Sequence, residues 1–286
     1  MSTFTMNVPG ATLTYDVHGE LSPDAVPLVL VGSPMDASGF TTLASQFTDR
    51  TVVTYDPRNT GRSKREDPTS AVTTAQHAED LHAVLQALGP VDMFASSGGA
   101  VNALALVAKY PDDVRVLVAH EPPAGGTLPD RDTLRAVCSD IVSTYDSSGT
   151  GPAMAKFIAL VMHRGELDSG YLQQPAPDPS AFGLPTQDDG TRTDPLIANL
   201  RGGAVDFVPD VDALRSAPTT IVVAVGEESG GPSEGEMAGR AGYAVAALLG
   251  IDATVFPSGH SGFLGGEFGQ TGKPVEFAAK LREVLA

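Results

Sequence analysis

The chain has 286 residues, 42% of them hydrophobic, which suits one large globular unit or a core carrying an inserted subdomain. Its 35 Asp plus Glu against 18 Lys plus Arg give a formal net charge of −17. Such a field repels phosphate backbones and anionic lipid headgroups, so neither nucleic acid nor a membrane is an expected partner. A single cysteine, Cys138, excludes an internal disulfide framework and fits a reducing compartment.

The opening "MSTFTMNVPG" lacks a basic start followed by an apolar run, so no secretory leader is expected. No stretch approaches the ~20 apolar residues of a membrane span, and the chain reads as soluble and cytoplasmic. "ATLTYDVHG" alternates like a strand with one wet face. "PLVLVG" is a continuous apolar run ending at Gly32, as expected of a strand buried on both faces. A helix-length stretch, "GFTTLASQFT", leads to a third strand, "RTVVTYD". In "TTAQHAEDLHAVLQALG", Ala78, Leu81, Val84, Leu85 and Leu88 recur at helical spacing, and Gly89 stops the helix. "VDMFA" then reads as a strand, "GGAVNALALVAKYP" as a helix ended before Pro111, and "VRVLVAHE" as another strand.

Between Pro122 and Pro218 the character changes. "RDTLRAVCSDIVSTYD" and "GPAMAKFIALVMHRGELDSGYL" are helical with no strand between them, and Cys138 in the first reads as a buried packing thiol. "QQPAPDPSAFGLPTQDDGTRTDP" reads as a long loop or flap. Alternation then resumes with the strand "TTIVVAVGE", the helix "EGEMAGRAGYAVAALLG", the short strand "DATVF" and the closing helix "GKPVEFAAKLREVLA". Such alternation predicts an α/β fold: a mostly parallel sheet with helices on both faces and a helical cap inserted after the sixth strand. The expected division is residues 1–122 and 218–286 for the core and 123–217 for the cap, which should lie over the C-terminal edge of the sheet, where α/β folds place ligands.

The stretch "FASSGGA" carries the chemistry. A nucleophile on a tight strand-to-helix turn adopts strained backbone angles, and its neighbours two residues away must be small. Centred on Ser96, those neighbours are Phe94 and Gly98, and Phe is too large. Centred on Ser97, they are Ala95 and Gly99, and both fit. A serine needs a base within reach. Of His18, His77, His82, His120, His163 and His260, only His260, in "VFPSGHSGF", follows the insertion and sits just past the last predicted strand. The base needs an acid to orient it. Two positions compete: Glu121, ending "VRVLVAHE" and stiffened by Pro122–Pro123, and Glu228, following "TTIVVAVG". Glu121 is preferred, because the usual G-x-x-D of the later strand would place its acid at 229, which is Ser229. Two N–H donors must face the developing oxyanion. Gly98 offers one; in the turn "GSPMDASGF", Ser33 offers the second, with Met35 as the next choice because Pro34 has no N–H.

Together these residues resemble the α/β-hydrolase superfamily over almost the whole chain. "LVLVGSP" is similar to the strand and oxyanion turn H-G-x-P, with Val31 in place of the histidine. "YDPRNTGRS" is similar to D-x-R-G-x-G-x-S, with Asn59 for the first glycine and Asp56, Arg58 and Ser63 in structural roles. "FASSGGA" followed by "AHEPP" resembles zearalenone-lactonase-like members, whose His-Glu-x-Pro glutamate is the triad acid, and this resemblance again implies Glu121. Dehalogenases and epoxide hydrolases of this fold need an aspartate nucleophile, which Ser97 excludes.

The expected activity is therefore hydrolysis of a carboxylic ester or lactone of a small hydrophobic molecule through an acyl-enzyme. Ser97 attacks, His260 moves the proton, and Glu121 orients His260. No G-x-G-x-x-G or P-loop follows a strand and no His/Cys cluster appears, so neither cofactor nor metal is expected. The alternatives are a cofactor-free perhydrolase, oxygenase or cyclase on the same triad, and a catalytically silent small-molecule receptor. The apolar residues Phe157, Ile158, Leu160, Val161, Met162 and Phe182 are expected to line a hydrophobic pocket or to pack the cap. A homodimer is compatible with this reading.

Overall fold

A computed structural model describes residues 1–22 and 25–286. Its strands are β1 (Ser2–Val8), β2 (Ala11–His18), β3 (Leu28–Val31), β4 (Val52–Asp56), β5 (Lys64–Arg65), β6 (Val91–Ser96), β7 (Val114–His120), β8 (Thr220–Gly226) and β9 (Thr254–Phe256). They form one sheet in the order β1-β2-β4-β3-β6-β7-β8-β9, with the two-residue β5 paired to β2. The β1–β2 and β2–β4 pairs are antiparallel, and every pair from β4 to β9 is parallel. Parallel strands need crossovers, and the crossover helices cover both faces. On one face Ala78, Leu81, Val84 and Leu85 of α2 (Thr74–Gln86) share a core with α3 (Gly98–Lys109) and α8 (Met237–Leu249). On the other, Leu43 of α1 (Thr41–Ser45) and Phe277, Leu281 and Leu285 of α9 (Pro274–Leu285) pack with Phe94 and Phe256. The result is the expected α/β architecture, a mixed, mostly parallel sheet flanked by helices on both faces.

Local chemistry accounts for the element limits. Helix α2 starts on a capping box, in which the Thr73 hydroxyl accepts from the Gln76 N–H and the Gln76 side chain accepts from the Thr73 N–H. Four elements depart from the sequence-based expectation. Residues Ser2–Val8 form a strand because they pair with Ala11–Val17 of β2. The supposed wet face of β2 is buried: Thr14 and Asp16 are covered, the Thr14 N–H donates to Ser63, and Asp16 accepts from Thr3 and Arg62. The "GFTTLASQFT" helix is only the single turn α1 after a 3-10 turn at Ala37–Phe40. The helix after β8, α8, begins at Met237, past the run of Gly, Ser and Pro.

Leaving the two-residue β5 aside, the helical insertion follows the sixth strand. It contains α4 (Arg131–Ser148), α5 (Thr150–Met162), α6 (Pro195–Arg201) and α7 (Val211–Ser216). Helix α5 stops at Met162 rather than running on to Leu172, and α6 and α7 are additional to the two expected helices. Asp194 and Asp210 cap these two, accepting from backbone N–H groups of their first turns. The insertion has its own core of Leu134, Val137, Ile141, Tyr145 and Leu160, where Cys138 is buried and its thiol pushed up to about 12. The expected apolar lining is split: Leu160 packs inside, whereas Met162 is 65% exposed.

A buried ion pair ties the insertion to the core. Arg240 of α8 donates to both oxygens of Asp130 and to the Gly165 carbonyl, and Asp130 also accepts the Leu167 N–H. Asp130→Ala leaves the Arg240 guanidinium buried without its counter-charge, at an expected cost of about 3–5 kcal/mol. Urea denaturation measures this loss, which should be smaller in the double variant Asp130→Ala/Arg240→Met.

Candidate active site

The turn between β6 and α3 consists of Ser97 alone, with φ 57° and ψ −130°. For a residue carrying a side chain such angles cost roughly 1–3 kcal/mol and persist only where the surroundings impose them. Here the Ser97 N–H donates to the His120 carbonyl at 2.9 Å, and the Ser97 carbonyl accepts the Ala100 N–H at 2.9 Å as α3 begins. The neighbours explain the small residues. Ala95 is buried between Val31 of β3 and Ala119 of β7. A Cβ at Gly99 would lie 2.5 Å from the Val31 carbonyl oxygen, and one at Gly98 would lie 2.5 Å from that of Ser33. Ser96 is buried beneath the turn with its hydroxyl 3.1 Å from His120 Nδ1, and Phe94 sits deeper, edge-on to Phe40, Phe263 and Phe277.

His260 lies in the loop after β9, and its Nδ1 is 2.6 Å from Glu121 Oε2. Glu121 is fully buried at the end of β7. Its other oxygen accepts the Gly226 N–H at 2.8 Å, and its own N–H donates to the Ala224 carbonyl at 2.8 Å. Its φ of 46° is a second left-handed angle in the site, and it turns the chain off the strand into Pro122–Pro123. Glu228, the competing acid, points elsewhere: 56% exposed, it accepts from the Ser258 hydroxyl and pairs with Lys273. Among the described residues, the hydroxyl of Ser97 has no hydrogen-bond partner. The structure thus joins His260 to Glu121 by a side-chain bond, and Ser97 to the same strand end by a backbone bond.

Charge follows this geometry. Burial alone would raise the Glu121 carboxyl, but the hydrogen bond from His260 and the nearby imidazoles of His120 and His260 outweigh it and hold the acid at about 2. Burial alone would pull the His260 imidazole down, and the bonded Glu121 carboxylate overrides this and holds it above the ordinary histidine value. His120 goes the other way: buried among Phe94, Phe256, Phe263 and Phe277, it is pushed down to about 4. Its ring stacks 6.0 Å from that of His260, and its Nε2 is buried with no partner among the described residues. Sequence reasoning gave this second imidazole no place in the site, although its position immediately before Glu121, at the buried end of β7, was visible.

The turn after β3 carries Ser33, followed by a cis Ser33–Pro34 peptide. Ser33 is buried against Gly98, so the two residues expected to face an oxyanion are in contact. Met35 packs its side chain onto Gly32 and Gly39. Asp56, Arg58 and Ser63 are engaged in structure. Asp56 accepts from the Ala37 N–H and from Arg62, Arg58 forks onto Asp80, and the Ser63 hydroxyl donates to the Asp56 carbonyl. Asn59 adopts φ 63°, the reason a glycine would fit there. Of the other histidines, His18 meets Thr54 and His82 meets Asp113 and stacks on Tyr110, while His163 lies edge-on to Tyr171. His77 meets Asn199, which sequence reasoning did not single out. No group of three or more His, Cys, Asp or Glu among the described residues is placed to hold a metal ion, and no helix there is long and apolar enough to cross a membrane.

Known proteins agree with this architecture. The sequence model of a family described as the alpha/beta hydrolase fold matches residues 28–181. The uncharacterized hydrolase YraK of Bacillus subtilis (strain 168) is 35% identical over 121 residues, which are 41% of this chain and 44% of that protein, so the chain spans less than half the length of that relative. The enol-lactonase from Burkholderia xenovorans LB400 superposes with a TM-score of 0.67 at 16% identity, covering 98% of this chain and 99% of that one. A thermophilic esterase from Thermogutta terrifontis gives 0.67 at 18% identity, covering 100% and 98%. A hydrolase from Pseudomonas aeruginosa PA01 gives 0.69 at 18% identity, covering 99% and 98%. At these identities the likeness establishes the fold alone. The family match covers more than half of the chain, and the chain belongs to the alpha/beta hydrolase fold family.

Proposed function

We propose that this hydrolase-family chain cleaves a carboxylic ester or lactone of a small hydrophobic molecule through an acyl-enzyme on Ser97. The observation that carries the reading is the strained Ser97 turn, hydrogen-bonded to the peptide that immediately precedes Glu121, while Glu121 itself grips His260. Strain of this kind at a serine presents its hydroxyl at the sheet edge. In the proposed cycle His260 Nε2 takes the Ser97 proton as the oxygen attacks the carbonyl carbon, and then returns it to the leaving alkoxide. A water, deprotonated by the same imidazole, then attacks the acyl carbon, and as the bond to Ser97 Oγ breaks the imidazolium returns that proton to Ser97 and the acid leaves. Glu121 holds the ring through Nδ1 and stabilises the imidazolium. The Gly98 and Ser33 N–H groups receive the oxyanion. The missing Ser97–His260 bond is compatible with this cycle, since such contacts tighten when substrate arrives. The insertion acts as a cap. The similar structures named as an enol-lactonase and an esterase support carboxylic-ester chemistry.

Three outcomes test the reading on a panel of p-nitrophenyl esters and lactones. Ser97→Ala should remove turnover by roughly 10³-fold or more while leaving the melting temperature and product affinity in place; unchanged hydrolysis would refute it. Glu121→Gln should cost roughly 10³–10⁴ in kcat through the wrong imidazole tautomer, whereas Glu228→Gln, on an exposed pair, should stay within about threefold. The base must be neutral to accept a proton, and Glu121 raises the His260 pKa, so kcat/KM should fall as the pH drops through a point above the ordinary ~6.5. In Glu121→Gln the residual activity should lose its acid limb at a lower pH. An inflection below ~6.5 in the unaltered enzyme would count against His260 as the base.

A further inference from the structure

Ser33 is held from outside its own turn. The Asn199 Nδ2 group, on α6 of the insertion, donates to the Ser33 hydroxyl at 3.1 Å. The Asn199 Oδ1 atom in turn lies 2.8 Å from His77 Nε2, on α2 of the core. All three side chains are buried. Burial draws the His77 imidazole towards its neutral form, which donates through Nε2 and leaves the amide nitrogen of Asn199 to point at Ser33. One direction of donation therefore runs from His77 through Asn199 to Ser33. Among the described residues the Ser33 hydroxyl has no acceptor for its own proton, so Asn199 is its one side-chain partner.

The helix carrying Asn199 is fastened to the core on both sides of the residue. The Val72 N–H donates to the Ala198 carbonyl at 2.9 Å. Gly202 lies so close to the core that a Cβ there would stand 1.8 Å from the Val72 carbonyl oxygen. At the other end the Asn59 amide donates to the Thr193 carbonyl, and Asp194 caps the helix. Such anchoring gives a seven-residue helix a fixed position, and with it a fixed position for the Asn199 amide.

We propose that Asn199 is a positioning residue for the oxyanion turn: through the Ser33 hydroxyl it sets the place of the Ser33 backbone N–H against Gly98, so the insertion helps to shape the catalytic site as well as to cover it. The inference rests on the acyl-enzyme reading. A donor of this kind acts only if it faces the oxyanion closely, and a misplacement of about 1 Å costs up to ~10²-fold in rate.

The test is a double-mutant cycle on the full chain with a p-nitrophenyl ester. Asn199→Ala removes the donor; Ser33→Ala removes the acceptor but keeps the backbone N–H and leaves α6 untouched, so misfolding of the first variant cannot mimic the second. Each change should lower kcat about tenfold with KM within about twofold, and the double variant should also lose about tenfold, because both break one bond. Fluorophosphonate labelling of Ser97 should slow by the same factor. Independent losses that multiply to about a hundredfold, or an unchanged kcat in either single variant, would overturn the proposal. If the unaltered chain is neither labelled at Ser97 nor active on esters, the acyl-enzyme reading itself fails; normal labelling of that chain with equal labelling of Asn199→Ala sinks the positioning role alone.

Discussion

A carboxylate with no solvent contact must find its partners inside the protein, and this requirement at Glu121 organises the whole sheet edge. Ionised, it needs donors, and it has the His260 ring on one oxygen and the Gly226 N–H on the other. Gly226 ends β8, His260 follows β9, and Glu121 ends β7, so one side chain ties the ends of three neighbouring parallel strands. The preceding carbonyl, that of His120, accepts the Ser97 N–H and brings in the end of β6. Through this pairing a histidine 139 residues away in sequence comes to lie at the same edge as the serine.

The second constraint is room. Ser97 can occupy a left-handed bend because Gly98 and Gly99 let α3 press on the turn after β3, with backbone oxygens where a Cβ would otherwise sit. Below the bend, Phe94, Phe256, Phe263 and Phe277 form a dense aromatic floor, with His120 set neutral into it. Close packing of this kind resists displacement, and it supports the strained angles at Ser97 and Glu121 that local sequence alone would not hold. The insertion is attached by different means: a buried ion pair from Asp130 to Arg240 near one end, and backbone bonds around α6 near the other.

Much of this was legible from short-range pattern. The apolar run "LVLV" became a fully buried parallel strand, and the capped, periodic stretch from Thr74 became α2. The choice of Ser97 over Ser96 followed from side-chain size two positions away, a local steric rule that the backbone angles at Ser97 satisfy. Less legible were elements whose formation depends on a distant partner. Residues Ser2–Val8 are a strand only because β2 lies beside them, and the Asp16 carboxylate of β2 is buried only because Arg62 and Thr3 meet it. Helices α6 and α7 are too short for a periodic signal, and caps and tertiary contacts define them.

By itself the sequence determined the alternation of the longer, periodic strands and helices and the one serine able to stand on the turn, because hydrophobic period, helix caps and residue size act over a few positions. Tertiary structure alone decided which acid meets His260. Glu121 and Glu228 both follow strands that run to the same sheet edge, and the local pattern, Pro122–Pro123 after one and Ser229 in place of an aspartate after the other, favours Glu121 without placing it against the ring. The left-handed turn at the end of β7 aims Glu121 inward to a buried bond, while Lys273 and Ser258 hold Glu228 at the surface. The same holds for Asn199, which reaches Ser33 across 166 residues of chain, a distance over which sequence pattern carries no signal.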